Sequence, residues 1–238
     1  MNKPLLSIVM PVKDEKENIE WVITEIAKYL KPRHEILVVY DTDTDNTLPV
    51  VRRLQKLYAN IKIIKNNYGK GVVAATLKGF DKSNGEILVM MAADRTDDVK
   101  TLNIMYKKIL QGYDIICPTR YSKGGKVVGK TSIKSLLSRL AGTTTPFILN
   151  IPTSDLTYSY KMFKKEILKN IKIESKGGFE FAEELLIKAH HLGYKIIEVP
   201  TLWIDRTYGK SKFKLMKWLP RYIYWYTWGF KKRIGIVR

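Results

Sequence analysis

The feature that most constrains this chain is the alternation, over its first 120 residues, of short β-branched runs with longer stretches of helical period. The apolar runs fall at residues 6–10, 36–40, 61–65, 87–91 and 114–118. Each is short and apolar enough to read as a strand buried on both sides. Between them, Ile19, Val22, Ile23, Ile26 and Leu30, then Val50, Val51, Leu54, Leu57 and Tyr58, fall at the spacing of helix faces turned to a core. Strands alternating with helices predict an α/β fold with a Rossmann-like, mostly parallel central sheet and helices on both faces.

After residue 118 the alternation stops. A Gly- and Lys-rich loop at 122–130 leads into a predicted helix at 131–140, with a further helix at 180–191 and a strand at 195–200. Asp98 precedes a helix expected to run to about Leu110, because its carboxylate can accept from free amides of the first turn. No internal repeat or long linker divides the chain, and 238 residues at 45% hydrophobic suffice for one domain with an appendage.

The single cysteine, Cys117, lies in an apolar run and reads as core. It excludes an internal disulfide and a Cys-type zinc pair, and it fits a reducing compartment. No leader pattern and no run of about 18 uninterrupted apolar residues occurs, so neither export nor a transmembrane helix is expected. The formal charge of +19, from 42 Lys and Arg against 23 Asp and Glu, points to an anionic partner: nucleic acid, anionic lipid or a phosphorylated substrate. Arg120, Lys123, Lys126, Lys130, Lys134 and Arg139 have no acid among them, and from Thr201 onward ten Lys and Arg face Asp205 alone.

In an open α/β sheet, ligands bind beyond the carboxyl ends of the strands. The segments following the first, second and fourth strands are polar and acidic: 11–15, 41–47 and 92–98. Asp41, Asp43 and Asp45 in one, with Asp94, Asp97 and Asp98 in another, are either turn and cap residues or a site, since clustered carboxylates repel unless a cation or donors offset them. Mg²⁺ or Mn²⁺ bridging carboxylate and diphosphate is one such offset. No GxGxxG or P-loop pattern appears, which counts against a dinucleotide enzyme or an NTPase. Gly69-Lys70-Gly71 is either a phosphate-approaching turn at a helix start or only a turn.

The C-terminal segment crowds Trp218, Leu219, Tyr222, Ile223, Tyr224, Trp225, Tyr226, Trp228 and Phe230 between Lys214, Lys217, Arg221 and Lys231, Lys232, Arg233. Such a basic, aromatic stretch reads as a membrane-interfacial helix, the alternative being a terminal helix packed on its own domain or on a partner. Nucleic acid is set aside, because the rim carboxylates would repel its phosphates. His190 and His191, adjacent on a helix, do not face each other, and Glu183 and Glu184 are expected as exposed helix charges.

Taken in order, the motifs resemble family 2 glycosyltransferases of the GT-A fold, and within them the dolichol-phosphate mannosyltransferase-like group. Ser7-Ile8-Val9-Met10-Pro11 with Glu15 and Asn18 looks like the family's opening strand and donor loop, and Val38-Val39-Tyr40-Asp41 with Asp45 and Thr47 like its base-binding segment. Gly69-Lys70-Gly71 matches its Gly-x-Gly turn. Met91-Ala92-Ala93-Asp94 with Asp98 stands where its Asp-x-Asp metal motif belongs, Ala92 replacing the first Asp. Lys13 stands in place of a usual aromatic residue, and Tyr40 in place of the first of two paired Asp residues. Thr119-Arg120-Tyr121, Ser138-Arg139-Leu140-Ala141, Asp155 with Thr157, Gly178-Phe179-Glu180-Phe181, Glu198-Val199-Pro200 and Asp205-Arg206 with Ser211-Lys212 continue the likeness over residues 5–215.

The resemblance implies an inverting transfer of a sugar from a nucleotide-diphosphate donor, a GDP- or UDP-sugar, to a polyprenyl (dolichyl or undecaprenyl) phosphate. It assigns Pro11, Lys13, Glu15, Val39, Asp41, Lys70, Ala92, Ala93, Asp94, Arg206 and Lys212 to the donor, and Asp94, Thr96 and Asp98 to a divalent cation. Asp94, Arg120, Lys134, Ser138, Asp155 and Arg206 form its catalytic and acceptor set. A lipid monophosphate, with a second pKa of about 6, is largely a dianion at neutral pH and attacks without a base; it needs a cationic seat. Residues 1–212 are then the catalytic domain and 213–238 a tail on an anionic membrane surface, peripheral and on its cytoplasmic side, where a membrane-protein partner would also dock. Two other readings stand beside this one. In the first, a saccharide hydroxyl of an envelope polysaccharide or glycolipid is the acceptor and Asp155 or another carboxylate the base; in the second, Ala92 marks a non-catalytic sugar-nucleotide-binding protein.

Overall fold

The computed structural model describes residues 5–129, 133–206, 208 and 215–237. Lys212 lies outside these residues, and Lys134 is described in its backbone only.

In chain order the elements are β1 (Leu6–Val12), α1 (Ile19–Tyr29), β2 (His34–Tyr40), α2 (Leu48–Leu54), β3 (Ile61–Lys65), α3 (Val72–Lys82), β4 (Ile87–Met90) and α4 (Thr101–Leu110). There follow β5 (Ile115–Thr119), β6 (Lys126–Val128), α5 (Ile133–Ile148), β7 (Lys161–Lys164), α6 (Ile167–Asn170), α7 (Phe181–His191), β8 (Ile196–Pro200), β9 (Leu202–Ile204) and α8 (Leu215–Arg233). The main sheet runs β3-β2-β1-β4-β7-β5-β8, and β6 pairs with β9 in a small parallel ribbon. Among the described strands of this sheet only β7 runs antiparallel to its neighbours. The carboxyl ends of β1, β2, β4 and β5 therefore open on one edge.

Successive strand residues point to opposite faces, and the core divides accordingly. Ile8 and Met10 pack with Ile19, Ile23 and Ile26 of α1 and Leu102 and Met105 of α4. Val9 and Val39 pack on the other face with Val73 and Phe80 of α3 and with Leu185 and Leu186 of α7. Burying each such side chain fully is worth about 1.5–3 kcal/mol, which is why these unbroken apolar runs settle as central strands.

Four expectations need amendment. β3 is an edge strand on which Ile61 alone is buried, so it is not covered on both sides. β7 went unrecognised in the sequence because it opens on a lysine: Lys161 is 1% exposed, its ammonium donating to the carbonyls of Leu156, at 3.0 Å, and Tyr158. α5 runs well past residue 140, to Ile148, and the hydroxyls of Thr143, Thr144 and Thr145 bond back to carbonyls one turn earlier. Glu183 and Glu184 are buried rather than exposed. Glu184 accepts from the amides of Glu174 and Ser175 and from Lys188 Nζ at 2.6–2.8 Å, while burial pushes the Glu183 carboxyl well above the usual range.

One face of α8 lies on α7, with Trp225 buried and its indole donating to Ser175 Oγ at 2.9 Å. Among the described residues no helix is long and apolar enough to cross a membrane.

Candidate active site

Asp41 directly follows β2 and faces the loop after β3. Its carboxylate accepts from Asn66 Nδ2 at 2.7 Å and from the Gly71 amide at 2.9 Å. Gly71 adopts φ +107°, a conformation that side chains rarely allow, and this lets its amide turn to Asp41 as α3 begins. The Gly69-Lys70-Gly71 turn, the exposed Lys70 and the amino end of α3 are thereby gathered at the rim beside Asp41, a placement suited to phosphate.

The other carboxylates of this loop do different work. Asp45 is buried and accepts from the amides of Asp14, at 3.2 Å, and Thr47, at 2.9 Å, while Thr47 Oγ1 accepts from the Glu15 amide at 2.9 Å. These bonds fix the loop after β1 against the loop after β2. Asp43 is exposed and pairs with Lys65.

Beyond β4 the chain turns at Arg95, a non-glycine residue at φ +67°. Asp94 accepts through one oxygen from the Thr96 amide and hydroxyl, at 3.2 and 2.6 Å, and through the other pairs with Arg206, whose guanidinium also lies 3.6 Å from Glu15. β9 delivers Arg206: the Ile204 amide donates to the Thr96 carbonyl at 3.3 Å and Trp203 bridges to Asp97. Asp98 turns away, accepting from the Lys100 amide at 3.1 Å and Thr101 Oγ1 at 2.8 Å, as expected of a residue opening α4.

Asp97 is buried between two donors, the Ala92 amide at 2.7 Å and the Tyr158 hydroxyl at 2.5 Å. Burial pushes its carboxyl up to about 7, the two hydrogen bonds opposing the rise. Among the described residues no group of three or more His, Cys, Asp or Glu is placed to hold a metal ion. A closed protein cage therefore does not fit. A hard dication that takes one carboxylate, Asp94, with Thr96 beside it and the remainder from phosphate and water, does fit.

At the end of β5, Arg120 meets the fully buried Asp155 side on: Nε reaches Oδ2 at 2.7 Å and Nη2 reaches Oδ1 at 2.8 Å. The Arg120 amide donates to the same carboxylate at 3.2 Å. Nη2 also donates to Ser138 Oγ at 3.0 Å, and Ser138 and Thr157 share a hydrogen bond at 2.9 Å. α5 can lie this close because it carries Gly142, where a Cβ would stand 2.1 Å from the Ser154 carbonyl oxygen. Lys134 lies one helical turn before Ser138 on the same helix.

The structure thus gathers Asp41, Lys70, Asp94, Thr96, Arg206 and Glu15 on one rim, with Lys13 exposed at the same edge and Arg120, Ser138 and Asp155 beyond β5. Val39 and Ala93 are buried, so they face any donor through backbone alone. Pro11 lies in register with Val39 in the sheet, and Ala92 presents its amide to Asp97. His191 Nε2 lies 3.3 Å from the Gly229 carbonyl, and both histidines belong to the α7–α8 contact rather than to the rim. Sequence reasoning missed Tyr158, Asn66 and Glu198, which accepts from the Ser154 amide at 2.7 Å and hydroxyl at 2.8 Å. Only Glu198 carried a signal, as part of the Glu198-Val199-Pro200 likeness.

Known proteins resemble this chain in sequence and in fold. A curated dolichol-phosphate mannosyltransferase of Pyrococcus furiosus is 30% identical over 214 residues, covering 88% of this chain and 59% of that protein. This chain therefore spans little more than half the length of that relative. A polyprenol monophosphomannose synthase of Mycolicibacterium smegmatis is 27% identical, covering 89% of this chain and 85% of that one. Glucosyl-3-phosphoglycerate synthase of Mycobacterium tuberculosis, solved with Mn²⁺, uridine diphosphate and glucosyl-3-phosphoglycerate, superposes with a TM-score of 0.69 at 16% identity over 99% of this chain and 81% of that one. A Pyrobaculum calidifontis mannosyltransferase solved with GDP-Man and Mn²⁺ gives a TM-score of 0.66 at 17% identity over all of this chain and 66% of that one. At such identities these structures speak for the fold, and it is the Rossmann-like GT-A fold that the resemblance implied. The family model described as glycosyl transferase family 2 matches residues 7–172, from the first residues of β1 through the segment carrying Arg120, Ser138 and Asp155, and the chain belongs to that family.

Proposed function

We propose that this chain transfers a sugar, with inversion, from a nucleotide-diphosphate donor to a polyprenyl phosphate. The observation that carries the reading is the state of Asp155. Both of its oxygens are engaged by Arg120, so it serves to fix a cation and is not presented as a base. An alcohol acceptor needs a base near neutral pH, whereas a phosphate monoester does not. The names of the two curated relatives favour a mannosyl donor and a polyprenyl acceptor.

In this reading Asp41 and the turn beside it hold the nucleoside, and Lys13, Glu15 and Lys70 line the donor cleft. Arg206, with Lys212 of the following segment, faces the diphosphate as it leaves. Asp94, with Thr96 beside it, is where a divalent cation would be held, and the cation would supply charge neutralisation for the diphosphate; Asp98, which the resemblance also assigned to the cation, is instead bonded to the start of α4. Arg120, Ser138 and Lys134 seat the acceptor phosphate behind the anomeric carbon, and in-line attack inverts that centre. Residues 1–212 carry the chemistry, and 213–238 hold the protein peripherally at the cytoplasmic face of an anionic membrane, beside any membrane-protein partner.

The test is a panel of GDP- and UDP-sugars, with and without Mn²⁺, against dolichyl phosphate, undecaprenyl phosphate and saccharide acceptors, with products read by mass spectrometry and anomeric coupling by NMR. The expected product is a sugar phosphodiester of opposite anomeric configuration to the donor. Transfer to saccharide hydroxyls alone, or none with any donor, would overturn the reading.

A further inference from the structure

Arg95 stands in the left-handed region at φ +67°, a conformation that favours glycine and is costly for a residue with a side chain. An arginine in such a place calls for a reason, and its guanidinium supplies one. The guanidinium carbon lies 5.5 Å from the ring centre of Trp21 on α1 and 5.1 Å from that of Tyr208, and Nη2 donates to the Glu17 carbonyl. Both separations are short enough for a ring face to attract a cation, and the planar, weakly hydrated guanidinium is the cation that stacks best on such faces. Arg95 Nε has no hydrogen-bond partner among the described residues, so the two rings and a carbonyl define where the group lies.

The segment that Arg95 grips is the one that carries Arg206. After β9 the chain runs back along the turn after β4. Trp203 bridges to Asp97, the Ile204 amide donates to the Thr96 carbonyl at 3.3 Å, Arg206 pairs with Asp94, and Tyr208 lies on Arg95. The Tyr208 carbonyl also accepts from Asn18 Nδ2 at 3.5 Å, and the same amide group donates to Glu15 at 2.8 Å. Adjacent residues of one turn, Asp94 and Arg95, therefore hold positions 206 and 208, the first by an ion pair and the second by ring contacts that reach the amino end of α1. Tyr208 is 48% exposed and Trp21 42%, so no core fixes either ring, and the guanidinium that both contact is what joins them.

We propose that Arg95 is a positioning residue for the transfer reaction: by gripping Tyr208 against Trp21 and the start of α1, it keeps Arg206 at Asp94, facing the donor diphosphate. This rests on the nucleotide-sugar reading above and deepens it. Arg95 touches no reacting atom and acts through Arg206.

The test is a double-mutant cycle on Arg95→Leu and Arg206→Ala, with Tyr208→Leu and Tyr208→Phe beside it. Affinity for GDP and UDP with Mn²⁺ is measured by calorimetry, transfer with a prenyl phosphate acceptor, folding by thermal melt, and tryptic cleavage after Arg206 by mass spectrometry. Arg95→Leu and Tyr208→Leu are each expected to weaken nucleoside-diphosphate binding by about fivefold and to speed cleavage after Arg206 by a similar factor. Tyr208→Phe, which keeps the ring, stays within about twofold of wild type. In the Arg206→Ala background, Arg95→Leu adds less than about twofold, because the effects of residues that act through one another do not add. The full loss retained in that background would overturn the proposal and place Arg95 on the nucleotide itself or in the fold. Binding and cleavage that Arg95→Leu leaves unchanged would overturn it too. Should Arg95→Leu fail to fold, Tyr208→Leu, which alters an exposed ring, carries the same comparison. A wild-type protein that binds neither nucleotide and transfers no sugar would count against the proposed function, while the cleavage comparison would still decide whether Arg95 holds this segment.

Discussion

Tyr158 donates its hydroxyl to Asp97 at 2.5 Å while its ring centroid lies 4.6 Å from the guanidinium of Arg120. Asp97 in turn holds the Ala92 amide. One buried tyrosine thus connects the segment after β4, the proposed donor side, with the arginine at the end of β5, the proposed acceptor side.

This connection titrates. The Asp97 carboxyl stands at about 7 in the fold, against about 3.9 in an unfolded chain. Between these values the fold holds a proton that the unfolded chain has released. The group's contribution is therefore full below about pH 4 and lost as pH rises through about 7. Denaturant unfolding at pH 5 and pH 8 is expected to show wild-type stability falling by about 1 kcal/mol or more relative to Asp97→Asn. Equal slopes in the two proteins would contradict this. Tyr158→Phe keeps the ring on Arg120 and loses the hydrogen bond, at a cost of about 0.5–1.5 kcal/mol.

Arg120 and Asp155 form a buried pair in which the guanidinium geometry matters as much as the charge. Arg120→Ala strands the carboxylate and is expected to cost about 3–5 kcal/mol. Arg120→Lys, which keeps the charge without the fork, falls between it and wild type. Ser138→Ala is expected to alter stability by about 1 kcal/mol or less while raising the KM for the acceptor and leaving that for the donor unchanged. Thermal melts and paired KM measurements separate the two effects.

Arg206 and Asp94 form an ion pair, and in the proposed reaction the departing diphosphate lies beside it. Removing a preorganised cation from developing charge costs about 10²–10³ in rate, and Arg206→Ala is expected to lower kcat by that order with little effect on the melt. Ala92→Asp adds a second carboxylate next to Asp94 and is expected to lower the Mn²⁺ concentration at half-maximal activity. Mn²⁺ titration of donor binding by calorimetry provides a second readout.

Gly142 lets α5 approach the Ser154 carbonyl. Gly142→Ala is expected to displace the helix from the Asp155 loop at a cost of about 1–3 kcal/mol and to weaken acceptor binding through Ser138. A melt combined with the acceptor KM checks both.

Much of the fold was legible in local pattern. The apolar runs of β1, β2, β4 and β5 and the helical stripe of α1 are buried as their spacing predicts, whereas Leu57 of the second expected stripe lies past the end of α2 and is 72% exposed; strand ends then mark a rim. Asp41 and Asp94 could be placed on that rim from their positions alone, and Arg120 and Ser138 came from ordered resemblance. Which of the clustered carboxylates serve a site and which serve the fold was not legible. Asp45 and Asp97 carry the same side chain as Asp41, and they differ from it in the donors that other segments bring to them, whereas Asp98 bonds within its own turn, as its place before α4 implied. Those segments are remote: Asp94 meets Arg206 across 112 residues, Asp97 meets Tyr158 across 61, and Arg120 meets Asp155 across 35. The burial of Lys161 and Glu184 has the same origin, since carbonyls and amides from neighbouring loops satisfy charges that composition assigns to the surface. Periodicity is a property of adjacent residues and can be read along the chain, whereas the partner of a charge is set by how layers pack and exists only once they have packed.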